Sequence, residues 1–267
     1  MKTFKNIKEY VAEKKEMLKH EISSHTTKPK MVVVRVGDDP ASVKYTNNKI
    51  KDCLEVGIKA ELLKFPEDIS EEALLAQLHR LNTDDTVTGY LVQLPLPKHI
   101  SEEKVNLAID PTKDIDGFHP LSKTVAATPL GVYTYLKDQN YEFTGKNAVI
   151  IGRSNIVGKP MHKLLLNANM NVVMLHTKTT EEDKRFYLEH ADLIIVAAGK
   201  AGVLNKYYKL KESAIVMDVG INFDENGKLI GDCEKDLPVA FQSPVPSGCG
   251  LLTRLAVIEN LIKLEEK

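Results

Sequence analysis

No stretch of this chain stays apolar for the roughly 20 residues that a membrane span requires, and its first residues, "MKTFKNIKEYVAEKKEMLKHEISS", lack the apolar centre of a signal peptide. That segment also carries Glu9, Glu13 and Glu16, acidic residues that transit peptides avoid. An excess of one charge is missing too. The 36 Lys and Arg against 37 Asp and Glu leave a net charge of −1, which argues against a protein whose main task is gripping nucleic acid or an anionic membrane. Cysteine is scarce: Cys53, Cys233 and Cys249 are odd in number, far apart and without metal-ligand spacing. A reduced, cytoplasmic protein is expected. The eight histidines form no HExxH and no close pair, so no metal site is expected. Internal repeats and low-complexity tracts are absent as well.

What is present is an ordinary globular composition over 267 residues, 43% hydrophobic and 27% charged, enough for one large or two modest domains. Residues 4–18 read as an amphipathic helix built on Phe4, Ile7, Val11 and Leu18. Strand-like runs then alternate with helical ones. "MVVVRVG" (31–37), "KAELLKFP" (59–66) and "TGYLVQLPLP" (88–97) are followed by helices, one opening at Ser70 and another at Ser101. This βα rhythm predicts a largely parallel sheet covered by helices. The stretch "DPTKDIDGFHPLSKTVAATP" (110–129) interrupts it, and the domain boundary is placed within 115–130. Thr128 is expected as an N-cap with Pro129 at the first helical position. The rhythm resumes with "NAVIIG" (147–152), "NVVMLHT" (171–177), "ADLIIVAAG" (191–199) and "AIVMDVG" (214–220), and an amphipathic helix closes the chain from Gly250 to Lys267.

The helix in "SVKYTNNKIKDCLEVG" (42–57) has an apolar stripe, Val43, Ile50, Cys53 and Leu54, expected to face the core. Ser42, Tyr45 and Lys49 form a second stripe beside it, which puts a phenol and an ammonium one turn apart. Farther along, "GRSNIVGKP" joins a strand to a helix. Measured against Gly-x-Gly-x-x-Gly, Ser154 stands at the second glycine and Gly158 falls one place late. Taken alone, Gly152 and Gly158 fit the turn of any βα loop. The run of strands and crossover helices that follows is nonetheless the setting for a pyrophosphate at a helix N-terminus. The next strand ends in "LHTKT", with no carboxylate for a ribose hydroxyl, while Arg153, Thr177 and Lys178 suit a 2′-phosphate. NADP is favoured over NAD.

Tyr45 with Lys49, "VQLPLP" (92–97), "PTKDIDGFHP" (111–120), "GRSNIVGKP" and "PVPSGCGLLT" (244–253), in this order, closely resemble the methylenetetrahydrofolate dehydrogenase/cyclohydrolase family over residues 30–262. The resemblance implies an α/β protein of two domains across a cleft. Residues 1–122 would be a parallel α/β folate-binding catalytic domain, 123–247 a Rossmann-like NADP-binding domain, and 248–267 a helix returning to the first. It implies a homodimer that oxidises 5,10-methylenetetrahydrofolate with NADP and hydrolyses the methenyl product to 10-formyltetrahydrofolate. Lys49 and Tyr45 would be catalytic, Gln93 would hydrogen-bond the lysine, and Asp116 would bind the pterin. Ser42, Val92, Leu94, Pro246 and Gly248 would complete the folate site, and Gly152, Arg153, Ser154, Thr177 and Ile221 would contact the nucleotide. The chain departs from the family at Ala126-Ala127, where Pro-Cys is usual, and at Ser247, which replaces a glycine and makes a positive φ less easy.

The chemistry explains the residue types. A hydride leaving a CH₂ between two nitrogens needs alignment and no protein base. Adding water to the methenyl carbon does need an acid/base group, and a lysine brought down by burial and oriented by neighbours would serve. Three other readings remain at this point: a dehydrogenase without the hydrolase, a two-domain dehydrogenase of the shikimate type, and a non-catalytic folate- or nucleotide-binding protein.

Overall fold

The computed structural model describes residues 4–265. The first three residues lie outside the described residues, as do Glu266 and Lys267, to which the closing helix is expected from the sequence to extend. The chain forms two compact units. The first comprises Ala12–Ala127 and the chain from Arg254 on; the second comprises the N-terminal segment through Val11 and Thr128–Thr253.

After α1 (Ile7–Ser23), the first unit runs β1 (Lys30–Val36), α2 (Pro40–Glu55), β2 (Lys59–Phe65), α3 (Glu71–Thr83), β3 (Gly89–Val92) and α4 (Glu102–Ala108). Its sheet has the order β2-β1-β3 and is parallel throughout, with Val33 opposite Leu62 on one side and Leu91 on the other. The helix starts follow from their caps. Asp39 accepts from the Ser42 N–H with Pro40 in the first turn, Ser70 accepts from Ala73, and Ser101 from Lys104. Val32, Val34, Leu74, Leu78 and Tyr90 are among the buried side chains that fasten α3 to the sheet.

The second unit contains most of α5 (Ala127–Asp138), then β4 (Asn147–Ile151), α6 (Gly158–Asn167), β5 (Asn171–Leu175), α7 (Glu181–Glu189), β6 (Leu193–Val196) and β7 (Ile215–Asp218). A small antiparallel pair, β8 (Asn222–Phe223) with β9 (Leu229–Ile230), and a short β10 (Phe241–Gln242) precede α8 (Cys249–Glu265). The main sheet is parallel, with order β10-β7-β6-β4-β5. Neighbours β5 and β6 flank β4, so the chain reverses its direction of travel across the sheet there. This is the switch point at which open α/β sheets bind ligands.

Three expectations change. The buried residues of α2 are Ser42, Thr46, Lys49, Asp52 and Cys53. Of the expected apolar stripe only Cys53 is fully buried, while Leu54 is 58% exposed. The helix buries its polar side because cations and hydrogen-bonding groups, described below, receive it. Thr128 does not cap α5; the helix already includes Ala127, whose N–H bonds the Asp116 carbonyl, and the Thr128 hydroxyl pairs with that of Thr253 at 2.9 Å. The second sheet also gains β10, a two-residue strand too short to show a period.

Candidate active site

In the first unit the candidate residues gather around α2 and the end of β3. Lys49 is buried, and its Nζ lies 3.7 Å from Asp116 Oδ2, with side-chain exposures of 7% and 11%. Burial, joined by the negative charge of Asp114, raises the Asp116 carboxyl above its ordinary range, and the Lys49 charge opposes that shift. Asp116 is delivered by a loop that runs beside β3, with Tyr90 and Asp114 in a parallel bridge. Asp114 builds the loop. It is fully buried, and its two oxygens accept the Gly117 N–H at 2.9 Å and the His119 N–H at 2.8 Å. From α8, the Asn260 amide donates to the carbonyls of Ile115 at 2.9 Å and Val125 at 2.8 Å, clamping the loop on both sides of Asp116.

Gln93 and Tyr45 do not touch Lys49 by hydrogen bonds. The Gln93 amide nitrogen donates to the Leu94 carbonyl at 2.7 Å, and its Oε1 is buried without a partner. The partner of Lys49 is Asp116 instead. Val92 is buried in β3, and Leu94 follows Gln93, bonded to Pro95 through a cis peptide. Ser42 is 3% exposed, and its hydroxyl also lacks any partner. Two buried oxygens without hydrogen bonds, on the stripe and strand end that hold Lys49, are the kind of polar groups a ligand satisfies. Burial raises the Tyr45 hydroxyl, and the positive charge of Arg254 opposes it. Beneath α2, the buried Arg35 binds the Thr46 hydroxyl at 3.2 Å and the Gly37 carbonyl at 3.1 Å, and Thr46 bonds back to the Ser42 carbonyl.

In the second unit, Gly152, Arg153 and Ser154 follow β4, Thr177 follows β5 and Ile221 follows β7, all at carboxyl ends of the parallel sheet. Gly152 has φ +121°, and a Cβ there would meet the Ala197 carbonyl oxygen at 2.1 Å. A Cβ on Gly158 would meet the Gly152 oxygen at 2.4 Å. The strand-to-helix turn is therefore as tight as a pyrophosphate-binding turn requires, although its glycines depart from the general spacing. Ser154 helps to build it: its hydroxyl accepts from the N–H groups of Val157 at 3.1 Å and Gly158 at 3.4 Å. Arg153, Thr177 and Lys178 are exposed, and no acidic side chain pairs with Arg153 or Lys178 among the described residues. Ile221 is 46% exposed. Two buried aspartates that sequence reasoning missed brace this end of the sheet. Asp232 accepts the Ala198 and Gly199 N–H groups at 2.7 and 2.9 Å, and Asp218 accepts those of Gly220 and Asp232, each at 3.0 Å.

Pro246 and Gly248 belong to this second unit, in the turn that opens α8. Between them Ser247 has φ +73°. The chain keeps the left-handed conformation without the glycine that makes it easy, at a cost of about 1 kcal/mol. Ser247→Gly should therefore raise the thermal midpoint by a degree or more; a lower midpoint in calorimetry would show that the hydroxyl or Cβ is stabilising.

Residues 2–116 match the catalytic domain, and residues 126–267 the NAD(P)-binding domain, of tetrahydrofolate dehydrogenase/cyclohydrolase. A bifunctional protein FolD of Bacillus thuringiensis (strain Al Hakam) is 44% identical over 269 residues, covering 95% of this chain and 93% of that protein. The crystal structure of a bifunctional FolD enzyme from Campylobacter jejuni is 41% identical with a TM-score of 0.93, covering 99% and 98% of the two chains. A methylenetetrahydrofolate dehydrogenase-cyclohydrolase of Trypanosoma brucei, solved with NADP cofactor and inhibitor, is 26% identical with a TM-score of 0.93, covering 99% and 97%.

Proposed function

The chain belongs to the tetrahydrofolate dehydrogenase/cyclohydrolase family, and from that membership we propose how its own side chains carry the two reactions. The enzyme oxidises 5,10-methylenetetrahydrofolate to 5,10-methenyltetrahydrofolate with NADP, then hydrolyses that product to 10-formyltetrahydrofolate. The observation behind the residue assignment is the buried Lys49 amine beside the Asp116 carboxyl, with the unpaired Ser42 and Gln93 oxygens on the same stripe and strand end.

In the oxidation, a C–H bond of the bridge breaks and its electron pair leaves as hydride, while lone pairs on N5 and N10 take up the positive charge. NADP, when bound, supplies the acceptor for that hydride. The tight Gly152–Gly158 turn leaves room for its pyrophosphate, and Arg153 with Thr177 and Lys178 receives its 2′-phosphate. No side chain has to remove a proton. Ser42, Gln93 and Asp116 hold the folate, Asp116 by binding the pterin.

The hydrolysis moves protons. Water adds its oxygen to the methenyl carbon and gives up a proton; the carbon–N5 bond then breaks, N5 takes a proton, and the formyl group stays on N10. Lys49 is the group that carries these protons. Burial raises the Asp116 carboxyl above its ordinary range while the Lys49 charge opposes that shift, so the carboxyl and the amine face each other as the two groups through which these protons can pass. Tyr45, one turn away on α2, lines the same face and contributes less.

Support for NADP over NAD comes from the end of β5, where His176, Thr177 and Lys178 stand in place of a carboxylate. Incubation with methylenetetrahydrofolate and either nucleotide, followed by absorbance, should give NADPH much faster than NADH. No reduced nucleotide with either would overturn the reading. The protein acts as a homodimer in the cytoplasm: β5 is a sheet edge, Leu166 and Phe186 are exposed at 53% and 58%, and all three cysteines are free thiols. No helix among the described residues is long and apolar enough to cross a membrane. Sedimentation should give the mass of two chains, and the mass of one at micromolar concentration would refute the dimer.

A further inference from the structure

Asp52 lies one turn beyond Lys49 on α2, so Tyr45, Lys49 and Asp52 share a face at spacings of four and three. It is an acid with 7% side-chain exposure, and two cations reach it. Lys15 Nζ donates to Oδ1 at 2.6 Å and also to Glu55 at 2.8 Å. Arg254, from α8, places its Nε 2.8 Å from Oδ2. That second approach is close but not aligned: Arg254 Nε and Asp52 Oδ2 are both buried atoms without a hydrogen bond. No acceptor among the described residues takes any N–H of this guanidinium, although the side chain is only 16% exposed. Its charge also reaches Tyr45, where it favours the ionised phenol against burial.

An arginine held beside a binding face by one carboxylate, with its planar fork unsatisfied, is suited to receive a second carboxylate. Each cation on this face has a carboxylate beside it, Asp116 for Lys49, Asp52 and Glu55 for Lys15, and Asp52 for Arg254. Lys15 donates to both of its acids and Lys49 is assigned to the reacting bridge, which leaves Arg254 as the cation with donors to offer. A reduced folate has a pterin at one end, the reacting bridge in its middle, and a glutamyl group with two carboxylates at the other end. With Asp116 at the pterin and Lys49 at the bridge, the glutamyl end is the part still without a partner. We propose that Arg254 is a substrate-binding residue whose guanidinium receives a glutamyl carboxylate of the folate, with Asp52 as the residue that positions it. This rests on the assignment of α2 as the folate-binding helix. A guanidinium that only tethers α8 to α2 would have no reason to distinguish substrates by their tails.

The test compares methylenetetrahydrofolate with methylenetetrahydropteroate, the same substrate without its glutamate, in the wild type, Arg254→Lys and Arg254→Met. In the wild type the KM for the glutamylated substrate should be the lower. Arg254→Met should shrink that advantage roughly tenfold or more, through KM rather than kcat, and Arg254→Lys should restore part of it. Equal changes for both substrates, or none for either, would overturn the proposal and leave Arg254 a tether. If Arg254→Met fails to fold because Asp52 loses a cation, Asp52→Asn with Arg254→Met removes the charge conflict, and the same loss of advantage is expected there. A wild type that turns over neither folate would overturn the underlying assignment; one that turns over both with equal KM would overturn the role of Arg254 alone.

Discussion

Replacing Lys49 by Met should slow the hydrolysis of methenyltetrahydrofolate by roughly 10²–10⁴-fold, the range supplied by a positioned acid/base group. The substitution keeps the length and the apolar stem and removes only the amine. NADPH formation from methylenetetrahydrofolate should persist, since hydride transfer draws no proton from the protein. It should weaken only as far as folate placement suffers, because Asp116 loses its neighbour at 3.7 Å. Tyr45→Phe should lower hydrolysis less, as it leaves the Lys49–Asp116 pair intact. Equal loss of both activities in Lys49→Met would mean that the amine only positions the folate. No loss of either would return Lys49 to an ordinary side chain.

Arg153→Ala should cost NADP use about 10- to 150-fold relative to NAD, the worth of a charge-assisted pair of roughly 1.5–3 kcal/mol. Arg153 is exposed and no carboxylate neutralises it among the described residues, so its charge is available to the 2′-phosphate. The readout is the ratio of kcat/KM for the two nucleotides. Equal losses with both would place Arg153 on something common to them, such as the pyrophosphate.

Local chemistry made much of this protein legible in its sequence. The caps at Ser70 and Ser101 act as read, and the strands of the two main sheets are parallel because crossover connections join them, by helices from β1 to β3 and from β4 to β6 and by longer loops after β6. "KDIDG" divides its two aspartates, with Asp114 making the turn and Asp116 left beside Lys49. What could not be read depends on partners far along the chain. The buried side of α2 is polar because Lys15 and Arg254 meet Asp52 across separations of 37 and 202 residues, which no helical period records. The bracing of the Asp116 loop by Asn260 is hidden for the same reason. Asp114 did leave a local signal, since an aspartate three residues before a glycine with positive φ is a turn builder. Thr128 misled because a hydroxyl before proline fits a cap, whereas here the helix starts earlier and the hydroxyl turns to Thr253.

The most direct measurement is a product analysis of two parallel incubations, wild type and Lys49→Met, each with methylenetetrahydrofolate and NADP. Wild type should yield 10-formyltetrahydrofolate in step with NADPH. Lys49→Met should yield NADPH together with methenyltetrahydrofolate that disappears only at its rate in buffer. The same product mixture from both proteins, or no NADPH from Lys49→Met, would contradict the assignment of the hydrolytic protons to Lys49.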